Sequence, residues 1–397
     1  MNELFDIFGI GDTTDGFSRY QAFGYPRNPF REAGLGTAGD GGPFYTGHIR
    51  KELKEIQDWV ADVYGGKSLQ PLSLVGNIGA GKSRILKYLR RHLSNLPRNR
   101  MVASDILLLS DTGFARASVG GTVLTAIERT PVPWAESPPS ETNILPIVWA
   151  IVTSKNRPED PNGPLFRALH RVQLSSSNTE RIRGASLISR WLQRDYLSSK
   201  EAQTIGLTRR IDWEGELIHV IGDLLRYAMQ INVLSNFFLF IDQLEDLFRP
   251  TFSELRRSRI LTDLRGLVDE IDDGAPLGLC LAWTPDFVSD NRYPNNGVDA
   301  QFRRSYEALY ARMNRRKVTL SLLGYDDALP FGKEWVESLH EEQGFNRQKQ
   351  PDLAELVQRA WTELQRQKRL FPGGNFTATP RDLLTELASA VDRLVDE

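Results

Sequence analysis

The feature that most constrains this chain is an eight-residue run, Gly76-Asn77-Ile78-Gly79-Ala80-Gly81-Lys82-Ser83, set between an apolar stretch and a helical pattern. Leu72 to Val75 precedes it as a predicted strand; Ile85, Leu86, Leu89, Leu93 and Leu96 follow at helical spacing until Pro97 stops the pattern. In that context the spacing G-x-x-x-x-G-K-[ST] predicts a phosphate cradle rather than a plain helix cap. Glycines permit the positive φ angles that turn backbone N–H groups inward, and the helix behind adds partial positive charge, so a polyphosphate exchanges water for fixed donors. Lys82 is placed to reach the terminal phosphates and Ser83 to ligate Mg²⁺, which implies ATP, or else GTP, as the ligand.

A second run, Phe237-Phe238-Leu239-Phe240-Ile241-Asp242, reads as a buried strand delivering a carboxylate at its C-terminal edge, where open α/β sheets bind ligands. Asp242 is therefore the expected acid on the metal side, with a helix cap as the alternative. The next residue is Gln243, which can orient a water but cannot accept its proton. Slow hydrolysis is expected unless Glu245 folds back as the base; Glu245 and Asp246 are equally read as acids favoured in a first helical turn.

The remaining patterns frame these two. Leu277 to Trp283 is a further buried-strand run, Lys317 to Leu323 a last strand, and Trp213 to Met229 a helix; the tail to Glu397 is mostly helical. A helix is expected to start near His48, after a glycine-dense loop from Gly34 to Gly42. Eight prolines between Thr130 and Pro164 predict an irregular, exposed segment. The fold class is thus α/β, a parallel sheet flanked by helices, plus a small C-terminal helical lid. The expected divisions are an extended segment over 1–47, a core over 48–323 with an insertion at about 130–213, and the lid over 324–397.

Composition narrows what such a chain can touch. Lysine and arginine number 49 against 51 acids, a net charge of −2, so there is no chain-wide attraction to nucleic acid or an anionic membrane. Local basic groups exist at Arg84, Lys87, Arg90 and Arg91, at Arg256, Arg257 and Arg259, and at Arg303 and Arg304, but no aromatic-interleaved nucleic-acid motif accompanies them. The single cysteine, Cys280, excludes an intramolecular disulfide and fits a buried thiol in a reducing cytoplasm. No apolar run is long enough to span a bilayer, and the start lacks the features of a secretion signal.

With both phosphate motifs placed, the chain resembles an AAA+ ATPase of the origin-recognition type, a group with initiators, general-secretion ATPases and transposon regulators. Phe23-Gly24-Tyr25-Pro26-Arg27-Asn28-Pro29-Phe30 and Phe44-Tyr45-Thr46-Gly47-His48 are similar to the segment lining the adenine pocket in those families. Leu281-Ala282-Trp283-Thr284 is similar to sensor 1, which implies a Thr284 hydroxyl near the γ-phosphate. Gly374 to Leu383, with Thr379-Pro380-Arg381-Asp382, is similar to sensor 2, which implies a reporting role for Arg381, with a surface salt bridge as its alternative. Arg312 is placed like the arginine finger offered to a neighbouring subunit, with a solvated basic face as its alternative beside Arg315 and Arg316.

Three departures qualify the resemblance. The interval from Lys82 to Asp242 is longer than usual, Gln243 stands where an acid is usual, and little chain follows Arg381 for a winged-helix domain. Ile241 to Phe248 with Thr284-Pro285-Asp286-Phe287 also resembles the STAND signalling ATPases, which are slow switches. Two functions follow as expectations. One is an ATPase that assembles with its own copies and acts on DNA or a DNA-processing protein in a prokaryotic multi-protein system, such as transposition or defence against phage. The other is a nucleotide-set switch working through a partner protein; a small-molecule kinase fits less well with a lid carrying a Pro-Arg turn.

Overall fold

The structure, a computed structural model, describes residues 28, 30, 47–66, 70–94, 100–108, 118–140, 142–158, 163–207, 209–249, 252–285, 297–343, 351–367 and 376–396. By its internal contacts the chain divides into two units, one of Lys54–Gly76 with Lys82–Thr319, the other of Met1–Leu53, Asn77–Gly81 and Leu320–Glu397.

The larger unit is built on a five-stranded sheet: β1 (Leu72–Val75), β2 (Met101–Leu108), β3 (Asn236–Asp242), β4 (Leu277–Trp283) and β5 (Arg316–Thr319). The order is β2-β3-β4-β1-β5 and every pairing is parallel. Strands β1, β3 and β4 are buried along their whole length, which is why each reads as a continuous apolar run. Their register is the feature that makes a site. Val75 lies level with Trp283, and Ile241 with Leu281, so Gly76, Asp242 and Thr284 all leave the sheet at the same edge.

Helix α1 (Arg50–Tyr64) packs Trp59 edge-on against Phe238 of β3 at 5.6 Å and fastens the indole N–H to the Gln70 carbonyl at 2.9 Å. Helix α2 (Lys82–Ser94) buries Ile85, Leu86, Leu89 and Leu93, the residues whose spacing predicted it. Strand β2 has no counterpart in the sequence reading, because Ser104 and Asp105 interrupt its apolar run. Strand β5 is shorter and earlier than the expected Lys317 to Leu323; Leu323 instead makes a single antiparallel bridge to Ala378 in the second unit.

Between β2 and β3 the described chain forms α3 (Val119–Arg129), α4 (Pro146–Thr153), α5 (Pro164–Gln173), α6 (Asn178–Leu192), α7 (Ser199–Ile205) and α8 (Glu214–Gln230). Of the segment from 130 to 164, expected to be irregular and exposed, the described residues up to Leu145 form no helix or strand and are mostly exposed or half-buried; the buried helix α4 is what departs from that expectation. In α4 every residue from Ile147 to Val152 is buried, and Pro146 and Pro164 sit at helix starts, where a fixed φ and a missing N–H cost nothing. The Gln173 amide ties the layer together, donating to the Ile151 carbonyl at 2.7 Å and accepting from the Tyr227 hydroxyl at 2.7 Å. These side chains join those of the sheet in one apolar core. Helices α9 (Glu254–Asp272), α10 (Val298–Ser305) and α11 (Glu307–Met313) complete this unit.

In the second unit α12 (Tyr325–Gln343), α13 (Leu353–Gln367) and α14 (Pro380–Asp396) enclose Phe331, Trp335, Trp361, Leu383 and Leu387. Phe30 is buried in the same cluster, and Asn28 donates to the Ala388 carbonyl at 2.8 Å. Among the described residues no helix is long and apolar enough to cross a membrane.

Two carboxylates meet at the N-terminus of α3. Glu214 accepts the Gly120 and Gly121 N–H groups at 2.6 and 3.3 Å and pairs with Arg194 at 3.0 Å. Asp263 of α9 accepts the Val119 N–H, and burial, then the Glu214 charge, push its carboxyl up to about 6 against the pull of Arg259 and Arg194. A carboxyl raised on folding takes up its proton in the folded chain first, so its destabilising charge is present above that pH and fades as pH falls toward 4. Asp263→Asn is expected to raise the melting temperature at pH 7.5 by about 2–4 °C, with the difference from wild type shrinking as the pH is lowered through 6. Thermal melts of both proteins across that range check it.

Candidate nucleotide site

The loop predicted from its glycines leaves β1 with the Gly76 N–H donating to the Trp283 carbonyl at 3.3 Å and turns where the Ala80 N–H meets the Asn77 carbonyl at 3.1 Å. Gly79 and Gly81 hold φ of 82° and 99°, a region that side chains other than glycine enter with strain. Lys82 opens α2 and is buried, with 8% of its surface exposed. Its ammonium donates to the Gly76 carbonyl at 2.7 Å and to the Thr284 hydroxyl at 3.0 Å.

Ser83 donates its hydroxyl to Asp242 Oδ2, and the Gln243 N–H donates to Asp242 Oδ1 at 2.8 Å. A hydroxyl and a carboxylate side by side are hard oxygen donors of the kind that Mg²⁺ takes. The residues present therefore fit the cation, just as a buried ammonium at a glycine turn fits phosphate. Asp242 itself is buried at the end of β3.

Gln243 adopts the left-handed conformation, φ 60°, and this reversal starts a 3-10 turn over Leu244–Phe248. The turn carries Glu245 back toward the sheet, where Oε2 accepts from the Thr284 N–H at 3.2 Å and Oε1 from the Thr284 hydroxyl at 2.9 Å. Burial pushes the Glu245 carboxyl up, opposed by backbone hydrogen bonding, by the Thr284 hydroxyl and by the Lys82 charge. The result is a buried chain, Lys82 to Thr284 to Glu245. Asp246, next in the turn, pairs instead with Arg249 at 2.7 Å.

The two arginines lie in different units. Arg312 on α11 is in contact with Asp269 and lies 3.8 Å from Asp272, both on α9. These acids hold its guanidinium more firmly protonated than usual. Arg381 lies in the first turn of α14, where its N–H donates to the Gly79 carbonyl at 3.4 Å. That turn is fixed by Thr379 and Asp382, whose side chains each accept the other's N–H, at 3.1 and 3.3 Å.

Of the segment expected to line an adenine pocket, Asn28 and Phe30 are buried in the second unit, while 23–27, 29 and 44–46 lie outside the described residues. His48 is described: burial lowers its imidazole, opposed by Asp327 and Glu52. Asp286, Phe287 and Gly374 also lie outside the described residues. Cys280 is buried within β4, and burial pushes its thiol up.

No protein-family description matches the chain, and no curated protein does. Among solved structures it is similar to the Aeropyrum pernix ORC2 protein in its ADPNP–ADP complexes, at 10% identity and a TM-score of 0.43, over 91% of this chain and 72% of that one. A likeness so distant assigns no residue a role.

The glycines differ in what a side chain would meet. A Cβ on Gly79 would lie 2.7 Å from the Arg381 Cβ and 2.9 Å from the Thr379 hydroxyl, whereas one on Gly81 would meet nothing within 4 Å. Both substitutions strain the backbone, by about 1–3 kcal/mol. Gly79→Ala is therefore expected to destabilise the fold more than Gly81→Ala, read as the difference in denaturation midpoint at unchanged slope.

Proposed function

We propose that this chain is a Mg²⁺-dependent ATPase of the AAA+ type. The observation that carries the proposal is the buried Lys82 ammonium at the glycine turn, beside a Ser83 hydroxyl already facing Asp242. In this reading the N–H groups of Gly76 to Ser83 and the Lys82 ammonium bind the phosphates, and Ser83 and Asp242 hold Mg²⁺. The cation supplies neutralisation of phosphate charge. The Gln243 N–H keeps the Asp242 carboxylate oriented.

Glu245 is the carboxylate left to accept a proton from an attacking water, and burial favours that by raising its basicity. Arg381 reports on the bound nucleotide. Arg312 serves a neighbouring copy, exchanging Asp269 for that copy's phosphate, so ATP favours assembly into a homo-oligomer. The resemblance in the sequence extends this to work on DNA or on a DNA-processing protein, in a prokaryotic system of the transposition or phage-defence kind.

A second reading has its own support. Gln243 cannot serve as a base, and Glu245 is engaged by Thr284. Both favour a slow, STAND-like switch acting through a partner protein.

ATP hydrolysis measured with and without double-stranded DNA, with molecular mass recorded alongside, separates the two. DNA-stimulated turnover and an ATP-dependent rise in mass are expected of the ATPase; tight binding, negligible turnover and constant mass would establish the switch. Lys82→Ala is expected to abolish binding. Glu245→Gln is expected to lower turnover by about 10²–10³-fold with affinity retained, and Arg312→Ala to lower turnover only in the assembled state. An Arg312→Ala protein with full turnover in the assembly would remove the finger assignment.

A further inference from the structure

We infer that Thr284 is a positioning residue that keeps Lys82 and Glu245 from closing on each other, and so keeps the lysine available to phosphate. The inference rests on the reading of this loop as a nucleotide site and concerns what sets its affinity. Lys82 and Glu245 are opposite charges, each with 8% of its surface exposed, and they meet through one hydroxyl. Thr284 accepts from the ammonium at 3.0 Å and donates to the carboxylate at 2.9 Å, while its backbone N–H holds the second carboxylate oxygen at 3.2 Å.

The spacer cannot drift. Thr284 follows directly on β4, which pairs with β1 on one side and β3 on the other. Its hydroxyl is thus fixed between the strand leading to Lys82 and the strand leading to Glu245. Remove the hydroxyl, and the ammonium loses an acceptor and the carboxylate a donor at the same moment. Buried charges do not stay uncompensated when an opposite charge is at hand, so the two would join directly. A lysine committed to a buried carboxylate must be pulled away before it can bind a phosphate.

The consequence differs from that of a hydroxyl that touches the third phosphate. A competing ion pair weakens ATP and ADP alike, and it disappears when the carboxylate is neutralised. The test is equilibrium binding of fluorescent ATP and ADP analogues with Mg²⁺, with melts confirming that each variant folds. Thr284→Val is expected to weaken both nucleotides by about tenfold, and Thr284→Ser to stay within about threefold of wild type. Thr284→Val combined with Glu245→Gln is expected to recover to within about threefold of Glu245→Gln alone, a coupling that separate effects would not give.

Glu245→Gln by itself should bind ADP at least as tightly as wild type, which tests the idea even if Thr284→Val does not fold. Three results would overturn it: unchanged affinity in Thr284→Val, a loss that Glu245→Gln does not rescue, or a loss confined to ATP. Wild type that binds neither nucleotide would instead remove the underlying site reading.

Discussion

A positive charge buried at the start of a helix sets the terms for everything around it. Lys82 occupies the first position of α2, where the helix already contributes partial positive charge, so the dipole opposes the ammonium. Burial removes the water that would compensate. What the protein supplies instead is fixed oxygen: a carbonyl from Gly76 at the end of β1 and a hydroxyl from Thr284 at the end of β4. Both acceptors are in place because β1 and β4 are neighbours in the sheet, level at Val75 and Trp283. The site therefore depends on strand order before it depends on any catalytic group.

The same dependence explains what could be read in advance. The loop from Gly76 to Ser83 and the strand ending in Asp242 were legible because each is a local pattern, a spacing or a continuous apolar run. The junction of Glu245 with Thr284 was not, since 39 residues separate them and only the left-handed turn at Gln243 brings them together. A glutamine at such a φ carries no sequence signal, unlike a glycine. Helix α4, inside the proline-dense stretch, was missed for a different reason. Proline ends helices, but at the first position it begins them, and composition cannot distinguish the two placements.

Several buried polar groups in the larger unit are answered by a group on another element. Gln173 spans α4, α5 and α8, and Glu214 answers the N–H groups of α3. Where the answer is incomplete, as at Asp263, the carboxyl drifts upward in basicity. The Lys82–Thr284–Glu245 chain belongs to the same class, a buried ammonium and a buried carboxyl both answered by Thr284.

The ends of the sheet carry a further consequence. Among the described strands β2 and β5 lie at the edges, and each is marked by charge: Asp105 on β2 faces Arg90, and β5 opens with Arg316, paired to Asp62 at 2.6 Å, and Lys317. Charged edge strands are poor templates for another chain's backbone. Copies of this protein are thus steered away from joining as one continuous sheet, the route by which parallel-sheet proteins polymerise into insoluble aggregates.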